Sequence, residues 1–208
     1  MLEHKQALSG IDVSVTISRD VAAPQTQGAD LSIRFGPGPW PEAGAMALCN
    51  DLLLPVASPG YLRSLPPGTG IGAMRLLHDR DPGAQWRDWM RAYGLGDSDA
   101  GSGLQFDSGD IVLRAAECGE GVALARLSMI RDSLQAGLLV APFGDKALER
   151  PNSIWLVQNP GTATRGPVSR VADWLRRVLA EESLRPIPVT PLAIGGAWGY
   201  LGRNSGAD

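Results

Sequence analysis

LQFDSGDIVLRAAECGEGVALARL, residues 104–127, is the stretch whose reading decides the fold. Leu104 to Phe106 is apolar enough for a short strand, and Asp107 and Ser108 follow as residues whose side-chain oxygens cap helices. Ile111 to Cys118 then carries a helix that Gly119 stops, and Val122 to Leu127 returns to a strand. Strand, helix and strand in succession is the unit of a parallel sheet, because parallel neighbours need a crossover connection.

The same alternation extends outward. Downstream, Ser128 to Ala136 reads as a helix and Leu138 to Phe143 as a strand, and Ile154 to Gln158 (IWLVQ) is another strand. Val168, Val171, Ala172, Leu175, Val178 and Leu179 form a helical stripe, with Arg170, Arg176, Arg177 and Glu181 on its wet side. Upstream, Trp86, Trp89, Met90 and Tyr93 recur at three and four within QWRDWMRAY, a helix closed by Gly94. Core packing explains its two tryptophans better than a ligand cage. Ile11 to Ser18 (IDVSVTIS) alternates apolar and polar residues as a strand does, Leu31 to Phe35 is the next strand, and Asp51 to Ala57 is a denser apolar run in which Pro55 implies a bend or an edge. Beyond Ser183, proline and glycine replace periodicity, although Pro188 to Ile194 retains some strand character. The expected class is α/β with doubly wound parallel sheets.

Composition narrows the function. The 208 residues are 44% hydrophobic and 20% charged, which suits a chain with a substantial core. A net charge of -3 lacks the basic excess that binding several phosphates requires, so direct DNA contact by this chain is not expected. No apolar run has the length of a signal peptide core or a membrane span, and a cytoplasmic location with no membrane partner is the expectation. Cys49 and Cys118 stand far apart, and His4 and His78 are the only histidines, so neither a disulfide framework nor a metal site is expected.

Catalytic signatures are missing. There is no G-x-S-x-G elbow, no G-x-x-x-x-G-K phosphate loop and no H-E-x-x-H pair. Gly119 and Gly121 precede a strand, whereas a dinucleotide fingerprint opens a helix after one. No enzyme and no cofactor is expected. Binding signals are better, since Asp107, Ser108 and Gly109 lie between strand and helix, where free N–H groups and the helix dipole favour an anion. The same residues also make an ordinary helix cap. Thr16 and Ser18 place hydroxyls at the carboxyl end of an early strand, the edge where open α/β sheets hold ligands.

Read in order, IDVSVTIS, GADLSIRFGPGPWP, LLLPVASPGYL, LLHDRDPGAQWRDWMRAYG, FDSGDIVLRAAECGEGVALARLSMI, LLVAPF, IWLVQNP and VADWLRRVLAEE resemble the effector-binding (co-inducer) domain of LysR-type transcriptional regulators. IRFGPGPWP and the W-x-x-W pair are most similar to the subgroup of the glycine-cleavage activator and the β-lactamase regulator. The resemblance implies a type II periplasmic-binding-protein-like fold, two Rossmann-like subdomains joined by two crossover strands, with a small molecule in the cleft. Residues 1–55 with 159–185 would make subdomain one, 56–158 subdomain two, and 186–208 a Pro/Gly-rich tail. The family's winged helix-turn-helix has no counterpart in these runs, and subdomain one matches without its first strand.

The implied function is sensing of a small effector, a carboxylate, amino acid or peptide-like molecule, with a homodimer among the implied partners. A free-standing solute-binding protein and a regulator remnant without DNA-binding output are the alternatives. The resemblance points to Thr16 and Ser18 as hydroxyl donors, to Arg34 and Gly36 at a strand end and its loop, and to Asp107, Ser108 and Arg126 on an opposite wall. Within GADLSIRFGPGPWP, Leu31, Ile33 and Phe35 are expected in the sheet of subdomain one, Ser32 and Arg34 on its other face, and Trp40 packing the loop down. Arg34 serves equally well as an interface ion pair or a ligand contact.

Overall fold

A computed structural model describes residues 8–17, 28–40, 44–81, 84–95, 100 and 102–188. Six strands are present among them: β1 (Leu31–Phe35), β2 (Ala45–Ala57), β3 (Leu76–Asp79), β4 (Leu104–Phe106), β5 (Val122–Arg126) and β6 (Leu148–Gln158). The helices are α1 (Pro59–Ser64), α2 (Trp86–Ala92), α3 (Gly109–Glu117), α4 (Leu127–Gln135) and α5 (Gly166–Leu184). The chain divides into two compact units, residues 1–51 with 151–185 and residues 52–150 with 186–208. β2 and β6 each run on from one unit into the other.

The second unit is built on a sheet in the order β2, β5, β3, β4. β5, β3 and β4 are parallel, and β2 meets β5 antiparallel, with Leu53 opposite Arg126 and Ala57 opposite Val122. Expected as wholly parallel, the sheet is mixed because β2 is a crossing strand rather than part of a strand–helix–strand repeat. Alternation sends neighbouring residues to opposite faces. Leu53, Leu76, Val122 and Leu124 join Trp86, Trp89 and Phe143 in one apolar cluster, whereas Leu54, Leu77, Ala123 and Ala125 join Val112, Ile130 and Leu134 in the other. Helix α2 and helices α3 and α4 therefore cover different faces.

The aromatic residues of α2 are core. Trp89 lies edge-on to Trp86 and against Phe143 and Tyr93, and its Nε1 donates to the Lys146 carbonyl at 2.8 Å. Trp86 Nε1 donates to the Leu77 carbonyl at 3.0 Å, so both indoles are satisfied while buried. Pro55 occupies the ladder opposite Leu124. Ala57 exchanges both backbone bonds with Val140 on the side away from β5, and Pro55, two residues earlier, turns its nitrogen to that same side. Proline thus costs no bond to β5. Gly121 leaves no room for a side chain, since a Cβ there would stand 2.3 Å from the Arg75 carbonyl oxygen.

Two expectations are corrected here. Leu138 to Phe143 is no strand but carries a single bridge at Val140, because among the described residues only Ala57 offers it a partner. Just after β2, Ser58-Pro59-Gly60 opens α1: Ser58 Oγ accepts from the Tyr61 N–H at 3.2 Å and proline takes a first-turn position, where its missing N–H costs nothing. Residues 11–17 form no strand either, so Thr16 lies on an exposed irregular segment and not at a strand end. Ser18 lies outside the described residues.

In the first unit β1 pairs antiparallel with β6, from Leu31 opposite Gln158 to Phe35 opposite Ile154. Asn159 ties the start of β1, its N–H donating to Asp30 and its side-chain amide to Ala29. Asn50 Oδ1 accepts from the Asn152 N–H at 2.8 Å, joining β2 to β6 at their first-unit ends. Helix α5 buries Val168 and Ala172 and ends at Arg185. The following residues return to the second unit, where Arg131 donates to the Pro186 carbonyl at 2.8 Å and Ile187 packs on the cluster around Ile130. No helix among the described residues is long and apolar enough to cross a membrane.

Candidate functional site

The parallel strands of the second unit deliver their carboxyl ends together. Asp79 is in register with Phe106, and the Arg80 N–H donates to the Phe106 carbonyl at 3.0 Å, which brings the HDRD run beside Asp107 and Ser108. α3 starts at Gly109, directly after β4. A Cβ on Gly109 would stand 3.0 Å from Asp79 Oδ2, so glycine there lets the helix N-terminus close on that carboxylate. Ser108 caps the helix by its backbone position, yet its side chain makes no capping hydrogen bond. Its hydroxyl is left for another acceptor or donor.

Arg126 ends β5 at the same edge and is buried. Its Nη2 lies 2.6 Å from Asp81 Oδ2, and Asp79 Oδ1 accepts from the Asp81 N–H at 3.0 Å. Burial of a guanidinium demands such a partner, since an uncompensated charge away from water is expensive. The edge therefore holds Asp79, Asp81, Asp107 and Asp110 against Arg80 and Arg126, with helix N–H dipoles and the Ser108 hydroxyl as its uncharged donors. It is equipped for a cationic group and an anionic group at once.

The first unit holds Arg34 and Gly36 at the end of β1. Arg34 is only 8% exposed and lies 4.8 Å from the centre of the Trp40 ring, opposite Trp155 in the ladder. Ile33 and Phe35, expected inside, are instead 44% and 46% exposed. The inversion has a packing cause: the loop after β1 folds over the arginine's face. The Gly36 N–H donates to the Ser153 carbonyl at 2.9 Å, and a Cβ on Gly38 would stand 2.3 Å from the Trp155 ring. Trp40 Nε1 and Ser153 Oγ are buried there without hydrogen-bond partners among the described residues. In the same unit, burial and then the nearby Asp51 carboxylate push the Cys49 thiol above its ordinary range.

The structure thus gathers Asp107, Ser108 and Arg126 at one strand edge and Arg34 with Gly36 at another end, while Thr16 joins neither group. Sequence reasoning missed Asp79 and Asp81. Their signal was the short apolar pair Leu76-Leu77 followed by alternating charges, a pattern of a strand ending at a polar edge.

Residues 3–180 match the family model of the LysR substrate binding domain. The chain is 31% identical over 179 residues to the glycine cleavage system transcriptional activator of Escherichia coli K12, covering 85% of this chain and 58% of that one. It is 30% identical over 178 residues to the HTH-type transcriptional activator AmpR of Rhodobacter capsulatus, covering 85% of this chain and 60% of that one. The chain thus spans a little under two thirds of these relatives' length. Among solved structures, the AmpR effector binding domain of Citrobacter freundii superposes with a TM-score of 0.72 at 26% identity, covering 86% of this chain and 89% of that one.

Proposed function

The chain belongs to the LysR substrate-binding domain family, whose type II periplasmic-binding-protein-like fold it shares, and from that premise we propose that it senses a small zwitterion. The effector-binding role and the absence of an enzymatic one follow from the family, since the relatives are transcriptional regulators. The chemical class rests on one observation: the Ser108 hydroxyl, unspent on capping, opens an edge where helix N–H groups face several carboxylates. A plain carboxylate would meet the repulsion of Asp79 and Asp107. An amino acid or peptide-like effector presents its carboxylate to the helix end and its ammonium to those aspartates.

Sensing then works by population shift, because a ligand moves an equilibrium only by its differential affinity for two states. In this reading the chain acts in the cytoplasm and leaves DNA contact to other parts of its regulator. Thermal unfolding against amino acids, small peptides and simple carboxylates tests the class. Zwitterions should raise the melting temperature and plain carboxylates should not; Ser108→Ala should remove that shift without changing the unliganded melting temperature. Stabilisation by plain carboxylates alone, or a shift indifferent to Ser108, overturns the reading.

A further inference from the structure

We propose, on the reading of this strand edge as the effector site, that Asp81 sets the effector class by occupying the buried arginine that a plain carboxylate would need. The side chain of Arg126 is 8% exposed and that of Asp81 33%, and Nη2 and Oδ2 stand 2.6 Å apart. Arg126 is the last residue of β5 and Asp81 follows β3 by two residues. Those strands are parallel neighbours, so their carboxyl ends bring the two side chains together. Asp81 is fixed by its own backbone. Its N–H donates to Asp79 Oδ1 at 3.0 Å, and its carbonyl accepts from the Ala84 N–H at 3.1 Å and from Gln85 Nε2 at 2.6 Å. Replacing the side chain therefore leaves the turn standing.

The pair is a bound carboxylate that never leaves. Arg126 sits between buried Ala125 and Leu127, and a guanidinium in such surroundings carries a desolvation cost that an anion must offset. Asp81 is that anion, so an acetate-like group arriving from solution finds the cation already neutralised. Arg80 is no substitute, because it is exposed and a hydrated surface cation holds a carboxylate weakly. A zwitterion does not need Arg126: its carboxylate goes to the helix end and its ammonium to the aspartates. Specificity is a difference between two affinities, and a built-in competitor lowers one of them without touching the other. Removing the Asp81 charge should invert the preference, since Arg126 is then buried beside a space of carboxylate size.

Melting temperatures of the whole chain in acetate or propionate, each against chloride at equal ionic strength and neutral pH, read that inversion. Wild type should not distinguish acetate from chloride. Asp81→Ala should melt lower in chloride and recover with acetate in a saturable way, by roughly 3–6 °C once acetate stands tenfold above its Kd. Asp81→Asn keeps the shape and an acceptor for the arginine, so it tests the charge alone if Asp81→Ala does not fold. It should bind propionate about tenfold more tightly than wild type. Asp81→Glu, with the charge kept, should discriminate as wild type does. Asp81→Ala combined with Arg126→Met lacks both ions, and it should lose the acetate response and regain stability. Acetate stabilising wild type as much as Asp81→Asn, no carboxylate response in either neutral variant, or a response that survives Arg126→Met overturns the proposal. Zwitterions are run separately on wild type, where their failure overturns the zwitterion reading and leaves the exclusion of carboxylates by Asp81 as the variants measure it.

Discussion

β5 and β1 are both five-residue strands, yet they are buried in opposite ways. In β5 every residue is buried, the arginine included, because helices cover both faces of the sheet around it. In β1 the one buried residue is Arg34, held under Trp40, while Ile33 and Phe35 face outward. Strand burial is decided by what lies on each face, and side-chain polarity follows only where two layers are present.

The contrast makes its own tests. Leu124→Ala in β5 should cost about 2–5 kcal/mol, since it empties a site walled by the Trp86 and Trp89 cluster, and the denaturant midpoint reads it. Arg34→Ala comes next. It removes a cation over an indole and the packing of the loop, a loss of about 1–3 kcal/mol. If Arg34 also contacts effector, the substitution abolishes ligand-induced stabilisation; if it serves the loop alone, that shift persists. Ile33→Ser in β1 should change stability by less than about 0.5 kcal/mol, and a loss comparable to that of Leu124→Ala would show that this face is covered after all.

The smallest effect concerns Cys49. Its thiol is raised by burial and by Asp51, so it ionises more readily in the unfolded chain than in the folded one. Stability should hold below about pH 9 and decline as pH rises past it, and a thiol reagent should modify exposed Cys118 before Cys49. Equal rates at the two cysteines would remove the burial account.

The strand–helix–strand core was legible because its apolar period, Ser108 and Gly119 agree on one structure, and the resulting elements match within a residue or two. α2 was legible for the same reason. Residues 11–17 carry an equally clear period without forming a strand, since alternation describes a willing segment and a ladder needs a second one. β3 was missed because four residues are too few for a period to show, and Asp79 and Asp81 were missed with it. The candidate residues Asp107, Ser108 and Arg126 share an edge because parallel strands end together, whereas Arg34's burial depends on a loop that no period describes.

The short passage after α5 has a use. Glu181 rides on a helix of the first unit, while Pro188 follows residues fastened to the second by Arg131 and Ile187. Two dyes attached at these nearby positions would travel with different bodies. Their energy transfer would report motion between the halves as a titration proceeds, a gauge built from one stretch of chain and independent of any DNA readout.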